Sequence, residues 1–330
     1  MKRIKDLIAD NFNGVIYISK NGEPIFNKAY GYADLPNKRP NNTNTIFEVA
    51  SGSKAFVATG IMKLIESGKL SLESNIGKLL DFDLGQIPPQ ITVRQLLSHT
   101  SGIPDYFDES VMEDMSELWA AFPCYLMRNP KDMLPTFIGK PMMYNPGEKF
   151  QYNNAGYTLL AMIIEGITGI EFSKYLNELI FKPCGMESTG YYELDRLPAN
   201  CATAYIYDEE RGEYFSNIYS TNAKSDGAGG VYTTTRDIAS FWKHLFAGDI
   251  VNSETVKTMV TAQAADEDGD GVYGFGFWLD GDTPYIQGMD PGVSFMSRRN
   301  TSGVLTILMS NFCDDVWEIN ENIEDLFDEA

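Results

Sequence analysis

Long apolar runs are missing from this sequence. No segment approaches the roughly 18 uninterrupted apolar residues that a helix needs to cross a bilayer. The opening "MKRIKDLIADNFNG" carries basic residues without the apolar core of a signal peptide. A soluble, cytoplasmic protein with no membrane insertion is expected. Basic side chains are also the minority, 26 against 46 acidic ones, for a net charge of -20. Such a surface repels phosphate backbones and anionic lipid heads, which argues against nucleic acid and membrane surfaces as partners. Cysteine and histidine are scarce as well. Cys124, Cys184, Cys201 and Cys313 lie far apart with no C-x-x-C pair, and only His99 and His244 are there to join them. That argues against a structural zinc site, while spacing alone leaves disulfides open.

What is present is enough for a sizeable core, 330 residues of which 43% are apolar. Ile4, Leu7 and Ile8 recur at helical spacing, so a short N-terminal helix is expected. In "GVIYISKNGEPIFNKAYGYAD" β-branched and aromatic residues flank Asn21-Gly22, a hairpin signal. From Ser51 the pattern turns helical, with Val57, Ile61, Leu64 and Ile65 on one side before a break at Gly68. The segment 91–224 reads as mostly helical with long loops. After "GAGGVYTTT" come two helical patterns, then the strands "GVYGFGFWLD", "TPYIQG", "GVSFMSRR" and "GVLTILMSNF", and the tail reads as an acidic amphipathic helix. Strands at both ends and helices between them predict an α+β fold. Residues 1–90 and 225–330 would build one antiparallel sheet flanked by helices, and 91–224 a mainly helical insertion, with a site between the two.

The acidic loop "ADEDGDG" opens like a calcium-binding EF-hand loop at Asp266, Asp268, Asp270 and Gly271. Its twelfth position is Phe277, where a bidentate Glu is needed, so a solvated acidic turn is expected.

The chemistry gathers at "FEVASGSKAFVATGIMKL". Ser51 and Lys54 are three residues apart, which on a helix puts their Cβ atoms about 5 to 6 Å from each other on one face. That is the reach a serine nucleophile requires of its base, and the start of a helix favours a developing oxyanion. A four-residue pattern with two fixed positions recurs by chance, so alone it is better read as a helix-start serine and an exposed lysine. "NPGEKFQYNNAGYTLLAMIIEGITG" adds Tyr152 and Asn154 just ahead of an apolar helix. A phenol near a lysine can relay a proton, and an Asn amide can bind a carbonyl or orient the lysine.

With these motifs the chain resembles the serine β-lactamase and penicillin-binding-protein superfamily, in the branch of DD-carboxypeptidases, AmpC-type β-lactamases, esterases and D-amino-acid peptidases. S-x-x-K is a signature of that superfamily. "ITVRQLLSHTSGIPDY", "YNPGEKFQYNNAGY", "FKPCGMESTGY" and "GAGGVYTTTRDIASFW" resemble segments of the branch in its order, over nearly the whole chain. The resemblance implies a β-lactamase/transpeptidase-like fold and an acyl-enzyme on Ser51. It also implies proton transfer shared by Lys54 and Tyr152, and Asn154 as a contact to substrate and lysine. No cofactor and no metal is implied, and the partner is a small-molecule ester, amide or peptide substrate.

The resemblance fails at the third element, a K-T-G, H-x-G or W-x-G triplet on a strand edging the site. Here it becomes Ile286-Gln287-Gly288, followed by Pro291-Gly292, with no cation; a shift of one residue would put Gln287 in the first place. The backbone of Met289 would complete the oxyanion hole with that of Ser51. Loss of the cation predicts a poor β-lactamase, unless Arg298 or Arg299 supplies a charge from the next strand. His99 and His244 are read as structural, and no G-x-S-x-G elbow supports an α/β-hydrolase. Two functions remain: a serine hydrolase, and a binding or sensor domain of the same fold with little turnover.

Overall fold

A computed structural model describes residues 2–9, 11–108, 111–112, 115–269 and 271–328. Both ends of the chain build one sheet. Strands β1 (Gly14–Lys20), β2 (Glu23–Tyr30), β3 (Ala264–Ala265), β4 (Val272–Tyr273), β5 (Trp278–Asp280), β6 (Thr283–Asp290), β7 (Val293–Arg299) and β8 (Val304–Ser310) pair antiparallel in the order β2-β1-β8-β7-β6-β5-β4-β3. The β1–β8 pair, Ile16 opposite Leu308, joins the N-terminal hairpin to the C-terminal meander. Asn21 and Gly22 turn the first hairpin at φ values of 54° and 85°, which only residues tolerant of the left-handed region adopt cheaply.

Side chains alternate across a strand, and here both faces are covered. Val15, Tyr17, Ile307 and Met309 enter the larger core, with helices α1 (Lys54–Glu66), α2 (Asn154–Thr168) and α3 (Thr235–Ala247). Ile16, Ile18 and Leu308 point the other way, onto Val316, Ile319 and Ile323 of the C-terminal helix α4 (Val316–Asp328). Ile4 joins them from a helix that extends only over Lys2–Lys5. The region 91–224 holds helices and loops, and one hairpin where none was predicted, Tyr205–Asp208 against Glu213–Ser216. Four-residue strands give too few alternations to register in the sequence.

Cys124, Cys184, Cys201 and Cys313 all carry free thiols. In the acidic loop the Gly271 amide donates to Asp266 Oδ2 at 2.8 Å and the Asp266 amide to the Gly271 carbonyl at 3.1 Å, closing a turn. Asp270 lies outside the described residues, and Phe277 is fully buried in the core. Among the described residues no single helix is long and apolar enough to cross a membrane.

Candidate active site

The strand Phe47–Glu48, paired with Tyr232–Thr233, runs into a turn of 3₁₀ helix at Ala50–Ser53 that feeds α1. Ala50 sits at φ 45°, a left-handed conformation that costs an alanine about 1–2 kcal/mol. The strain is held by what packs around it. On one side β6 lies so close that a Cβ on Gly288 would stand 2.4 Å from the Val49 carbonyl oxygen and 2.7 Å from the Ser51 nitrogen. Only glycine lets that strand meet the turn carrying Ser51.

Lys54 is 1% exposed. A buried ammonium is tolerable only when its donors are matched. Its Nζ donates to Ser51 Oγ at 2.9 Å, to Asn154 Oδ1 at 2.8 Å and to the Ala228 carbonyl at 2.8 Å. It also stands 4.8 Å from the centre of the Tyr152 ring. Tyr152 in turn stacks on Trp278, centroids 5.5 Å apart. Ser51, Lys54, Tyr152 and Asn154, chosen from two motifs about a hundred residues apart, thus meet at one point.

The backbone of the Tyr152-x-Asn154 triplet is gripped from one segment. Asp105 accepts from the amides of Asn154 (2.6 Å) and Ala155 (3.1 Å) at the start of α2, a side-chain cap from outside the helix. Burial pushes its carboxyl up to about 7 against the pull of those amides. His99 Nδ1 accepts from the Asn153 amide at 3.0 Å, and its ring lies 4.4 Å from that of Tyr152. Burial, with Lys54 nearby, holds this imidazole well below its usual range, so it is neutral. His244 pairs with Asp249 at 2.7 Å in α3, away from Ser51. Among the described hydrogen bonds neither histidine reaches Ser51.

Ser51, Tyr152, Asn154, Gln287, Gly288 and Met289 line one cavity of about 620 Å³. Ile286 does not. Its side chain is 2% exposed, inside the main core, because the pleat of β6 turns the side chains of Gln287 and Met289 the opposite way from that of Ile286. The side chain of the third motif that faces the cavity is therefore Gln287, and the expectation of Ile286 there is corrected. Arg298 is engaged by Asp280 and, at 2.9 Å, by Glu324, while Arg299 lies 4.2 Å from the Phe246 ring centre. Neither arginine lines the cavity.

Three lining residues gave no signal of their own: Asp226, Asp290 and Trp317. Asp226 accepts from Thr158 Oγ1 at 2.7 Å and from the Ala228 amide at 3.1 Å. Behind Asp290 lies Glu48, pushed up to about 8 by burial first and by the Asp290 charge second. Trp317, in the first turn of α4, donates from Nε1 to Gln287 Oε1 at 2.6 Å. An aromatic placed out of phase in an acidic helix was the available hint for it.

The sequence model of the Beta-lactamase family matches residues 2–316. Penicillin-binding protein 4* of Bacillus subtilis (strain 168) is 31% identical over 284 residues, covering 81% of this chain; the chain spans 60% of that relative's length. Among solved structures, a penicillin binding protein from Bacillus halodurans superposes with a TM-score of 0.92 at 35% identity over 99% of each chain. A D-amino acid amidase from Ochrobactrum anthropi SV3, solved with L-phenylalanine amide, gives 0.78 at 26% identity, covering 99% of this chain and 96% of that one.

Proposed function

The chain belongs to the Beta-lactamase family, and on that premise we propose that it is a serine hydrolase that opens an ester or amide bond through an acyl-enzyme on Ser51. The supporting observation is the 2.9 Å approach of Lys54 Nζ to Ser51 Oγ, with Ser51 and Tyr152 in one cavity. Ser51 Oγ attacks the carbonyl carbon and its proton passes to the Tyr152–Lys54 pair. The pair returns it to the leaving oxygen or nitrogen as the C–O or C–N bond breaks. Water then loses a proton to the same pair and attacks the acyl carbon, and Ser51 recovers its proton as the acid departs. The three acceptors around Lys54 form a setting for an ammonium. Tyr152 is then the direct proton acceptor, its phenolate stabilised by the ammonium beside it.

Asn154 orients Lys54 and contacts the substrate carbonyl, and the backbone N–H groups of Ser51 and Met289 form the oxyanion hole. The site works between the sheet portion (1–90 and 225–330) and the inserted portion (91–224). The chemistry needs side chains and water alone. The likeness to a D-amino acid amidase favours amides within this range.

A fluorophosphonate probe followed by peptide mass spectrometry tests the reading, together with turnover of a nitrophenyl ester. Stoichiometric label on Ser51 and steady turnover are expected, and Ser51→Ala loses both. Because Ser51 Oγ is one acceptor of the buried Lys54 Nζ, the variant is expected to fold with a stability loss of about 1–3 kcal/mol. Retention of more than about a tenth of the turnover in Ser51→Ala would remove Ser51 from the role.

A further inference from the structure

We infer that Gln287, oriented by Trp317, selects substrates with an uncharged hydrogen-bond acceptor, such as a carboxamide oxygen, beside the scissile bond, over substrates with a carboxylate there. This deepens the hydrolase reading and rests on it.

An indole N–H has one hydrogen to give and no lone pair to accept with. The 2.6 Å bond from Trp317 Nε1 to Gln287 Oε1 therefore fixes which end of the Gln287 amide faces the indole. The oxygen is committed to Trp317, and the amide nitrogen, with its two hydrogens, is presented elsewhere. Among the described residues that nitrogen bonds no acceptor and is not sealed from solvent. Gln287 and Trp317 both line the cavity of Ser51. Gln287 is next in the chain to Gly288, which abuts the Ser51 nitrogen.

Trp317 is not a loose rim residue. Its neighbour Val316 is fully buried, and Ile319 and Ile323 of the same helix are packed on the sheet. The segment leading into the helix is pinned by Ser294 Oγ, which donates to the carbonyls of Phe312 (3.1 Å) and Asp314 (2.8 Å). The indole thus holds the glutamine from a fixed base.

Charge points the same way. Among the described lining residues Asp226 and Asp290 carry the formal charges, and there is no Lys, Arg or His. A ligand carboxylate beside Gln287 would meet acidic neighbours and a neutral amide, with the Lys54 ammonium already engaged by Ser51, Asn154 and the Ala228 carbonyl, whereas a carbonyl oxygen would take the N–H of Gln287 without repulsion.

The test uses benzoyl thioesters that differ in the leaving thiol: mercaptoacetamide, mercaptoacetate and ethanethiol, with thiol release followed by a chromogenic disulfide. Wild type is expected to favour the carboxamide over the carboxylate by about tenfold or more in kcat/KM. The ratio of carboxamide to ethyl thioester should fall by about threefold or more in Gln287→Leu. It should also fall in Trp317→Phe, which keeps a ring but removes the N–H and frees the amide to rotate. A wild type indifferent to carboxamide against carboxylate overturns the inference. So does an unchanged carboxamide to ethyl ratio in either variant that still labels at Ser51. If wild type neither hydrolyses the ethyl thioester nor takes the fluorophosphonate label, it is the hydrolase reading that fails.

Discussion

Lys54 Nζ donates to Ser51 Oγ across 2.9 Å and also to Asn154 Oδ1 and the Ala228 carbonyl. The two side chains are joined directly. That is the geometry positioned proton transfer needs, and it ties the 3₁₀ turn, α2 and the loop before Tyr232 to a single nitrogen.

Lys54→Met and Tyr152→Phe are each expected to slow acylation by about a hundredfold or more, since positioned proton transfer supplies roughly 10² to 10⁴ in rate. The two losses should not multiply, because the residues act as a unit. Pre-steady-state acylation of the single and double variants measures this, and full multiplicativity would argue for separate proton paths. Lys54→Met should also lower the melting temperature more than Tyr152→Phe does. It strands the buried acceptors Asn154 Oδ1 and the Ala228 carbonyl, at about 1–3 kcal/mol for each group left unsatisfied.

Gly288→Ala should cost both activity and stability. The added carbon would sit 2.4 Å from the Val49 oxygen and 2.7 Å from the Ser51 nitrogen, and neither is the end of a flexible side chain. Either β6 or the Ser51 turn must shift, with an overpacking cost of about 1–3 kcal/mol. Urea unfolding and ester kcat/KM check the pair of effects. A well-folded variant with wild-type activity would show that the close approach is not required.

Glu48 gives a pH dependence with a definite sign. Buried beside Asp290 and accepting from the Tyr232 hydroxyl at 3.3 Å, its carboxyl is pushed up to about 8. The unfolded chain releases this proton near the ordinary carboxyl range, about 4.3. Between those values the folded state binds more protons than the unfolded one, so this group makes stability fall as pH rises, until the folded carboxyl itself ionises. Glu48→Gln should flatten that decline, gaining on wild type progressively from pH 5 to pH 8 in urea midpoints. A stability difference that stays constant over the range would rule this out.

Neutral esters should be turned over in preference to a chromogenic cephalosporin bearing a free carboxylate, by roughly 10- to 150-fold, the worth of one missing hydrogen bond to a charged group. A cation restored at Gln287 tests the idea, because that side chain faces the cavity, whereas Ile286→Lys would drive an ammonium into the core where Ile286 is 2% exposed. Gln287→Lys should move the ratio toward the cephalosporin, while Ile286→Lys should chiefly destabilise, by several kcal/mol. A wild type already fast on the cephalosporin would defeat the prediction.

The longer strands that build the sheet were legible because their local signals agree, whereas the two-residue strand Ala264–Ala265 was not expected. Asn21-Gly22 turns the first hairpin, and the run from Val304 to Ser310 is apolar at every position but Thr306 and Ser310, as a strand covered on both faces must be. The Tyr205–Ser216 hairpin was not legible, its strands being too short for a period to show. The helical spacing of Ser51 and Lys54 and the Tyr152-x-Asn154 triplet were readable for a related reason. Each pair is placed by a few residues of local backbone.

What the sequence determined, then, is the identity and local spacing of the groups proposed to react: a serine and a lysine one turn apart, a phenol and an amide two residues apart, and no cation in the third element. Which side chain of that third element faces the cavity was decided by the tertiary structure, because it depends on how β6 pleats against the Ser51 turn. One residue of register moved the answer from Ile286 to Gln287. The grip of His99 and Asp105 on the Tyr152-x-Asn154 backbone, and the bond from Trp317 to Gln287, join residues 30 to 54 positions apart in the chain. Such contacts carry no local periodicity. They exist only once segments distant in the chain have packed against one another.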